Sequence, residues 1–460
     1  GVNVTDNGSG SGAGGPKLIS RPGPGADLLV RGARLFDPRT GLDALRDLVV
    51  RDGEIAEIAE PGSAPEVEGA EVVDGDGLLA LPAFVDPHVH LRVPGQEHKE
   101  DLETGTRSAA AGGYCAVIAM ANTSPPIDSA AILGSVRDRA EREASISVGF
   151  VANVTRGMGG QELTEMAELS EVGAIGFSDD GLPIANARVL RRALQYQRLA
   201  GGVIALHEED PDLSAGGVMN EGEVSAALGM AGVPAVSEST MIARNCSLAL
   251  YEDARIHVQH LSARASVEEI ARAKQAGVRV TCEATPHHLT LTDEAVRSLD
   301  ARFKMNPPLR TEDDRQALIE GLRDGTIDCI ATDHAPHAAE EKEVPFEEAA
   351  WGVTGLETAF AALFTDLVRP GVIPLELLVE RMTCGGEPFG IEAPRLERGA
   401  AANVALIDPD LTWTVGEEGY ESRSFNNCFG GRELTGRVLM TVAAGTVAFR
   451  QRSFALGVAP

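Results

Sequence analysis

The stretch LLALPAFVDPHVH, residues 78–90, is an apolar run of strand-forming residues that ends in two histidines. Seven further runs rich in β-branched residues follow it, and amphipathic segments rich in Ala and Arg separate them. These runs are CAVIAMAN (115–122), ISVGFVAN (146–153), VGAIGFS (172–178), GVIALH (202–207), RIHVQH (255–260), VRVTCEA (278–284) and DCIATD (328–333). Eight alternating β and α segments over roughly 300 residues favour an α/β fold of the (β/α)8 barrel type over an open doubly wound sheet.

The two ends of the chain have a different pattern. From Asp27 onward, and again near the C-terminus, short β-like runs alternate with Gly and Pro. Residues 1–26 are rich in Gly, Ser and Pro, a composition typical of disorder. We therefore predict three parts, which are a disordered tail at 1–26, a small β-sandwich domain built from 27–81 and 390–450, and a barrel at 82–389.

Composition excludes several classes of function. The chain has 460 residues, with 40 Lys and Arg against 69 Asp and Glu, so its net charge is −29. Phosphate backbones and anionic lipids would repel such a chain, which argues against a role in nucleic-acid or membrane-surface binding. No apolar run approaches the roughly 20 residues that span a bilayer, and the N-terminus lacks the features of a signal peptide. We expect a soluble, cytoplasmic protein.

Polar residues stand where the predicted strands end. His88 and His90 are two positions apart on one strand, so both imidazoles point to the same face. The active sites of (β/α)8 barrels lie at the carboxyl ends of the strands, where packing gives no reason for polar residues. The polar residues that end the later runs are Asp179 with Asp180, His207, His260 and Asp333.

This set of side chains is typical of a metal centre. Four imidazoles and two carboxylates are too many ligands for one tetrahedral ion, but they suit two divalent ions such as Zn²⁺ that share a carboxylate. Divalent ions of this kind lower the pKa of water from 15.7 to about 7, and a neighbouring carboxylate can transfer the proton. The six cysteines are scattered without any CxxC pair, which argues against a thiolate site. The residues therefore predict metal-assisted hydrolysis.

The ordered set of motifs resembles the amidohydrolase superfamily and, within it, the bacterial type I dihydroorotases. The resemblance extends from residue 27 to about residue 449. The motifs that carry it are DPHVHLR (86–92), GQEHKED (95–101), ANTSPP (121–126), FSDDG (177–181), TPHH (285–288), KMNPPLR (304–310), ATDHAPH (331–337) and GLETAF (355–360).

The resemblance implies roles for particular residues. His88, His90 and Asp333 would bind one Zn²⁺, and His207 and His260 would bind a second. Asp180 would bridge the two ions, a choice over Asp179 that rests on its spacing of 27 residues from His207 (207 − 180 = 27). Asp333 would also act as the catalytic base and acid. The residues implied to bind substrate are His90, Arg92, Asn122, Asn306, His337 and the Trp351-Gly352 backbone.

The implied activity is the reversible hydrolysis of dihydroorotate, a cyclic amide, to N-carbamoyl-L-aspartate in pyrimidine (UMP) biosynthesis. Arg92 would pair with the substrate carboxylate through its planar guanidinium. Hydantoinases and allantoinases in the superfamily use a carboxylated lysine as the bridge. This chain has no lysine between Lys99 and Lys274, so that bridge is not available to it.

Alternatives remain open at this point. The chain could be a related cyclic amidohydrolase, or a dihydroorotase-like structural subunit in a complex with aspartate transcarbamoylase. The resemblance also implies a homo-oligomer. The roles of His287 and His288 stay undecided between supporting the site and supporting the fold, whereas we interpret His98, His257 and His334 as non-ligands.

Overall fold

A computed structural model describes residues 17–455. Its strands, in chain order, are β1 Leu28–Asp37, β2 Leu42–Arg51, β3 Glu54–Ala59, β4 Glu71–Asp74, β5 Leu79–Pro82, β6 Phe84–Val89, β7 Tyr114–Ala119, β8 Ser147–Phe150, β9 Gly176–Ser178, β10 Val203–Leu206, β11 Met219–Asn220, β12 Gly232–Val233, β13 Arg255–Val258, β14 Arg279–Ala284, β15 Cys329–Ile330, β16 Val404–Thr414, β17 Glu433–Ala443 and β18 Thr446–Arg450.

The α-helices lie mainly between the central strands. They are α1 Leu102–Ala111, α2 Ala130–Glu143, α3 Met166–Val172, α4 Ala187–Ala200, α5 Pro211–Ser214, α6 Glu223–Leu228, α7 Val236–Tyr251, α8 Arg264–Gln275, α9 Pro286–Thr290, α10 Glu312–Asp324, α11 Ala339–Lys342, α12 Ala359–Leu363, α13 Leu375–Thr383 and α14 Arg452–Ala455. Side-chain caps begin several of them; Ser129, for example, accepts a hydrogen bond from the Ile132 N–H at the start of α2. None of the helices in residues 17–455 is long and apolar enough to cross a bilayer.

Two parallel sheets form the centre of the molecule. One has the order β6-β7-β8 and the other the order β15-β14-β13-β10-β9. Isolated parallel bridges connect them, with Ala152 paired to Phe177 and Val89 paired to His334. Each of the eight predicted apolar runs contains one of these strands. β7, for example, is buried at every position, as expected for a parallel strand that is covered on both faces.

Strands from both ends of the chain form a separate mixed sheet. Its order is β18-β17-β16-β5-β1-β2-β3, and β4 pairs with β1. β5 pairs with both β1 and β16, so it joins the N-terminal and C-terminal strands. One apolar cluster contains Leu48 of β2, Leu406 of β16 and Met440 of β17. The pairing through β5 makes one continuous sheet around a shared core, and its arrangement as a β-sandwich stays a prediction.

The predicted disorder of the N-terminal tail does not extend over its last part. Residues 1–16 lie outside the described residues, but Ile19 and Val148 exchange two backbone hydrogen bonds of 3.0 and 2.8 Å. Leu18 and Ile19 also pack against the main apolar core. Two apolar side chains at the end of the Gly-rich run thus give this segment enough buried contact to be ordered.

Candidate active site

Six predicted ligand residues meet at the carboxyl ends of the parallel strands. Each is buried, and they form two groups in which one nitrogen or oxygen atom from each residue lies within 4.8 Å of the others. The first group contains His88, His90, Asp180 and Asp333, and the second contains Asp180, His207 and His260. Asp180 is thus a member of both groups.

The two oxygens of Asp180 face different groups. Its Oδ2 lies 2.9 Å from Nε2 of His88 and 3.2 Å from Nε2 of His90. Its Oδ1 lies 3.3 Å from Nδ1 of His207 and 3.5 Å from Nε2 of His260. The carboxylate therefore stands between the two groups, in the position that a bridging ligand would need.

The neighbouring carboxylate of Asp179 has a different environment. One of its oxygens accepts hydrogen bonds of 2.8 Å and 3.2 Å from the backbone N–H groups of Val154 and Thr155. Its other oxygen accepts the hydroxyl of Thr155. Asp179 therefore holds the loop after β8, and it is in neither candidate ligand group.

The donor set fits divalent metal ions. Two ligands that are each about 2.1 Å from a tetrahedral ion lie about 3.4 Å apart, close to the distances around Asp180. Oδ1 of Asp180 is also buried and makes no hydrogen bond within residues 17–455, which is costly for a carboxylate oxygen unless a cation is present. Imidazole and carboxylate together are ligands that suit zinc and similar ions.

The pKa shifts of His88 and Asp180 also favour a metal centre. Burial would lower the pKa of His88, but the charges of Asp333 and Asp180 outweigh it and raise this pKa well above its ordinary value. Burial would raise the pKa of Asp180, but the charge of His88 and the nearby ring of His207 bring it well below its ordinary value. Without a metal, a proton on His88 balances the negative charge of these carboxylates, and a divalent cation would take its place.

Further polar groups hold the distal nitrogens of the imidazoles. Nδ1 of His88 lies 2.5 Å from Oε1 of Glu283, and Nδ1 of His90 lies 2.7 Å from Oδ1 of Asn122. The predicted substrate residue Asn122 thus contacts a candidate ligand directly. Sequence reasoning missed Glu283, although a single acidic residue inside the buried strand β14 is a signal that could have identified it.

The predicted substrate residues Arg92 and His337 are neighbours. Arg92 is buried and donates its Nε–H to the backbone oxygen of Pro336 at 3.0 Å, and its Nη2 lies 3.4 Å from Nε2 of His337. Nε2 of His337 lies 2.8 Å from the carbonyl oxygen of Trp351, the partner to which it donates. Burial, together with the charge of Arg92, lowers the pKa of His337 to about 3, so its imidazole is neutral.

The backbone at Gly352 requires glycine. Its φ is +146°, and a Cβ there would stand 2.9 Å from both Cβ of Ala335 and Nε2 of His337. The glycine therefore allows the loop after Trp351 to approach His337 closely. On another side of the centre, the carboxylate of Glu209 lies 3.6 Å from Nε2 of His207; burial would raise its pKa, but His207 and, to a smaller extent, the nearby Asn306 lower it.

Comparison with known proteins agrees with this arrangement. The family model described as Dihydro-orotase-like matches residues 77–266. The chain is 43% identical over 426 residues to the dihydroorotase of Geobacter metallireducens, an alignment that covers 92% of this chain and 100% of the relative. It is 45% identical over 426 residues to the dihydroorotase of Pelotomaculum thermopropionicum, covering 92% and 99%. The chain belongs to the dihydroorotase family.

Solved structures with a similar fold include hydantoinases and a dihydropyrimidinase. The L-hydantoinase (dihydropyrimidinase) of Arthrobacter aurescens superimposes with a TM-score of 0.81 at 27% identity, covering 92% of this chain and 96% of that one. The dihydropyrimidinase of Brevibacillus agri gives a TM-score of 0.80 at 24% identity, with 92% and 95% covered, which shows the fold alone. These likenesses place this dihydroorotase family member among the amidohydrolase α/β folds.

Three residues of this site have an unusual backbone. Arg92, His260 and Asp333 have φ values of 64°, 32° and 51°, a region that residues with a Cβ rarely adopt. Backbone strain of this kind costs of order 1–3 kcal/mol per residue and persists where the surrounding structure enforces it. In this dihydroorotase family member, three of the eight non-glycine residues with positive φ in residues 17–455 are thus candidate ligands or the predicted substrate residue Arg92.

The remaining histidines have distinct surroundings. His98 is exposed, whereas His334 lies 3.0 Å from Glu100 through its Nε2 and accepts the backbone N–H of Gly355 at its Nδ1. His257 contacts Glu283, and His288 contacts Thr285 and the carbonyl of Pro307. His287 is different, because its Nε2 is buried and has no hydrogen-bond partner. None of these five is in either candidate ligand group of residues 17–455.

Proposed function

We propose that the protein is a type I dihydroorotase, which hydrolyses the ring amide of dihydroorotate to give N-carbamoyl-L-aspartate and catalyses the reverse ring closure. The observation that carries this proposal is the placement of Asp180, whose two oxygens face two pairs of imidazoles. A dihydroorotase needs no modified lysine if an aspartate bridges its ions, and the chain has no lysine from residue 100 to residue 273.

Two Zn²⁺ ions per chain are the proposed cofactors. His88, His90 and Asp333 would hold one ion, His207 and His260 would hold the other, and Asp180 would be shared. Zinc bound there would polarise the scissile carbonyl and lower the pKa of water towards 7. The imidazole and carboxylate donors, spaced as around a tetrahedral ion, support this assignment.

Asp333 is the proposed proton carrier. Burial would raise its pKa, but the nearby imidazoles of His88 and His90 hold the pKa well below its ordinary value, so the carboxylate is ionised. Its side chain is 11% exposed, compared with 2% for Asp180, and this makes it the more accessible carboxylate of the centre. Asp333 would take a proton from the attacking water and give it to the departing ring nitrogen as the amide bond breaks.

Substrate recognition is assigned to the residues around Arg92. Its guanidinium would pair with the carboxylate on the substrate ring, since Nε bonds to Pro336 and the longer 3.4 Å contact of Nη2 with His337 is one that a substrate carboxylate could replace. His90, Asn122, Asn306, His337 and the Trp351-Gly352 backbone complete the proposed substrate contacts. The neutral imidazole of His337 fixes the Trp351 carbonyl and so the backbone of that loop.

The proposed architecture is a closed barrel with a smaller β domain. The two bridges between the parallel sheets support closure of the eight strands into one (β/α)8 barrel over 82–389, with the mixed sheet of 27–81 and 390–450 as the smaller domain. A homo-oligomer, an aspartate transcarbamoylase partner and a cytoplasmic location stay predictions. Size-exclusion chromatography of the chain, alone and mixed with that enzyme, tests the first two.

A turnover assay tests the proposed activity. The purified zinc-loaded chain should hydrolyse dihydroorotate faster than hydantoin or allantoin, because only dihydroorotate carries a ring carboxylate for Arg92. A preference for hydantoin would contradict the assignment and would identify a hydantoinase. Turnover that appears only when aspartate transcarbamoylase is added would instead identify a subunit that depends on its partner.

A further inference from the structure

Glu283 lies in strand β14 and is completely buried, yet it is not in either candidate ligand group. An ionised carboxylate in such a place is costly unless several donors surround it. The donors that surround this carboxylate come from three histidines. Two of these, His88 and His260, are candidate ligands, and the third is His257.

One oxygen of Glu283 contacts two of the candidate ligand residues, His88 and His260. Its Oε1 lies 2.5 Å from Nδ1 of His88 and accepts the backbone N–H of His260 at 3.2 Å. His88 belongs to the first ligand group and His260 to the second. A single oxygen atom therefore fixes the ring of one group and the backbone of the other.

The second oxygen keeps the carboxylate in place. Oε2 of Glu283 lies 2.8 Å from Nε2 of His257, whose Nδ1 lies 2.7 Å from the hydroxyl of Thr281. Because that ring is held at both nitrogens, the carboxylate cannot rotate without losing a contact. If Nε2 of His88, which lies 2.9 Å from Asp180, binds an ion, the proton of the neutral ring stands on Nδ1, and Glu283 accepts its hydrogen bond.

We propose that Glu283 is a positioning residue that supports both metal sites at once, through the ring of His88 and the backbone of His260. This inference rests on the proposed two-ion centre. A carboxylate on the distal nitrogen of a ligating imidazole fixes the tautomer and strengthens the ligand, and its loss typically costs 10–100-fold in metal affinity. Asn122 acts on His90 alone, so it would support only the first site.

Zinc affinity of the folded chain tests the inference. The ion-free wild type and its Glu283→Gln, Glu283→Asp and Asn122→Ala variants are titrated with zinc against a chromophoric chelator. Glu283→Gln removes the charge, and Glu283→Asp keeps the charge but shortens the reach. Both should weaken the binding of both ions by about 10–100-fold, whereas Asn122→Ala should weaken one ion only.

A second readout separates positioning from a structural role. If Glu283 only stabilises the fold, its variants lower the Tm of the ion-free and zinc-loaded chains equally. If it positions ligands, they reduce the rise in Tm that zinc produces. Glu357→Gln is the matched control, because Glu357 accepts hydrogen bonds from Ser108 and from the backbone of Glu421 and Ser422 and touches no histidine. It should keep the wild-type affinity within about threefold.

The outcomes are distinct. Wild-type affinity for both ions in either Glu283 variant, or failure of both variants to fold, overturns the inference. A wild-type chain that binds two zinc ions but does not hydrolyse dihydroorotate overturns the proposed activity and leaves the role of Glu283 standing. A wild-type chain that binds no zinc overturns both.

Discussion

Oδ2 of Asp180 lies 2.9 Å from Nε2 of His88, while the other oxygen of the same carboxylate faces His207 at 3.3 Å. One side chain after β9 thus joins a group that includes His88 and Asp333 to a group, His207 and His260, that lies between those two residues in the sequence. Asp179 and Asp180 are adjacent at the end of one strand, but their side chains make different contacts. Asp179 holds backbone, and Asp180 points into the centre.

Replacement of Asp180 should remove both metals. In Asp180→Ala each ion loses a ligand. The centre also loses the negative charge of the Asp180 carboxylate, which would balance part of the positive charge of the two ions. We expect less than one bound zinc per chain after gel filtration, measured by atomic emission, and no detectable turnover. Retention of two ions would contradict the bridging role.

Asp179→Ala, at the adjacent residue, is the matched control for Asp180→Ala. It leaves the backbone N–H groups of Val154 and Thr155 without their acceptor, at a cost of about 1–3 kcal/mol for each buried donor. We expect a lower Tm by thermal denaturation and a wild-type zinc content. Loss of zinc with unchanged Tm would mean that the two aspartates have exchanged roles.

Substitution of Asp333 should affect chemistry more than substrate binding. Asp333→Asn keeps an oxygen that can face His88 and His90 but cannot carry the proton. Proton transfer contributes about 10²–10⁴-fold to rate, so we expect kcat to fall by at least 10²-fold with a small change in KM. Steady-state kinetics at matched zinc content provide the check, and a kcat within tenfold of wild type would rule out this role.

Arg92 should determine the choice of substrate. Loss of a buried, charge-assisted contact costs about 2–5 kcal/mol, so Arg92→Gln should lower kcat/KM for dihydroorotate by roughly 30- to 5000-fold. Arg92→Lys should recover only part of this loss, because an ammonium cannot form the two-pronged contact. Zinc content should stay at the wild-type value. An equal loss on an uncharged hydantoin would contradict carboxylate recognition.

Removal of metal should destabilise the fold as well as stop turnover. Ligand binding at a concentration 100 times Kd adds about 2.7 kcal/mol per site to the free energy of unfolding. Dialysis against a chelator should therefore lower Tm and abolish activity, and added zinc should restore both. A chelated chain that keeps its Tm and its activity would exclude a metal centre at Asp180 and the four imidazoles.

The sequence predicted the strands, and the six residues it singled out lie close together in the structure, for a physical reason. A parallel strand that is buried on both faces is apolar along its length, so a polar residue at its end, such as His207 or Asp333, has no packing role. Spacing to His207 favoured Asp180 over Asp179, but the sequence did not contain the contacts that distinguish the two carboxylates. Their hydrogen-bond partners come from Thr155 and from the histidines, which are distant in the chain.

Other features depend on contacts that no local pattern contains. Glu283 lies inside an apolar strand, and its importance comes from His88, which is 195 residues away. Ile19 is ordered because it pairs with Val148, which is distant in the sequence. Composition contains no sign of this pairing, and the prediction from composition therefore included Ile19 in the disordered tail. The continuous mixed sheet likewise depends on β5 pairing with β16, which joins residue 82 to residue 404.

A zinc titration of the ion-free chain, followed by hydrolysis of dihydroorotate, tests the central claim most directly. The account predicts no turnover without zinc, a rate that rises as zinc is added, and a plateau at two equivalents per chain. It also predicts that the Asp180→Ala chain stays inactive throughout the titration. Turnover without zinc, a plateau at one equivalent, or no hydrolysis of dihydroorotate at any zinc concentration would contradict it.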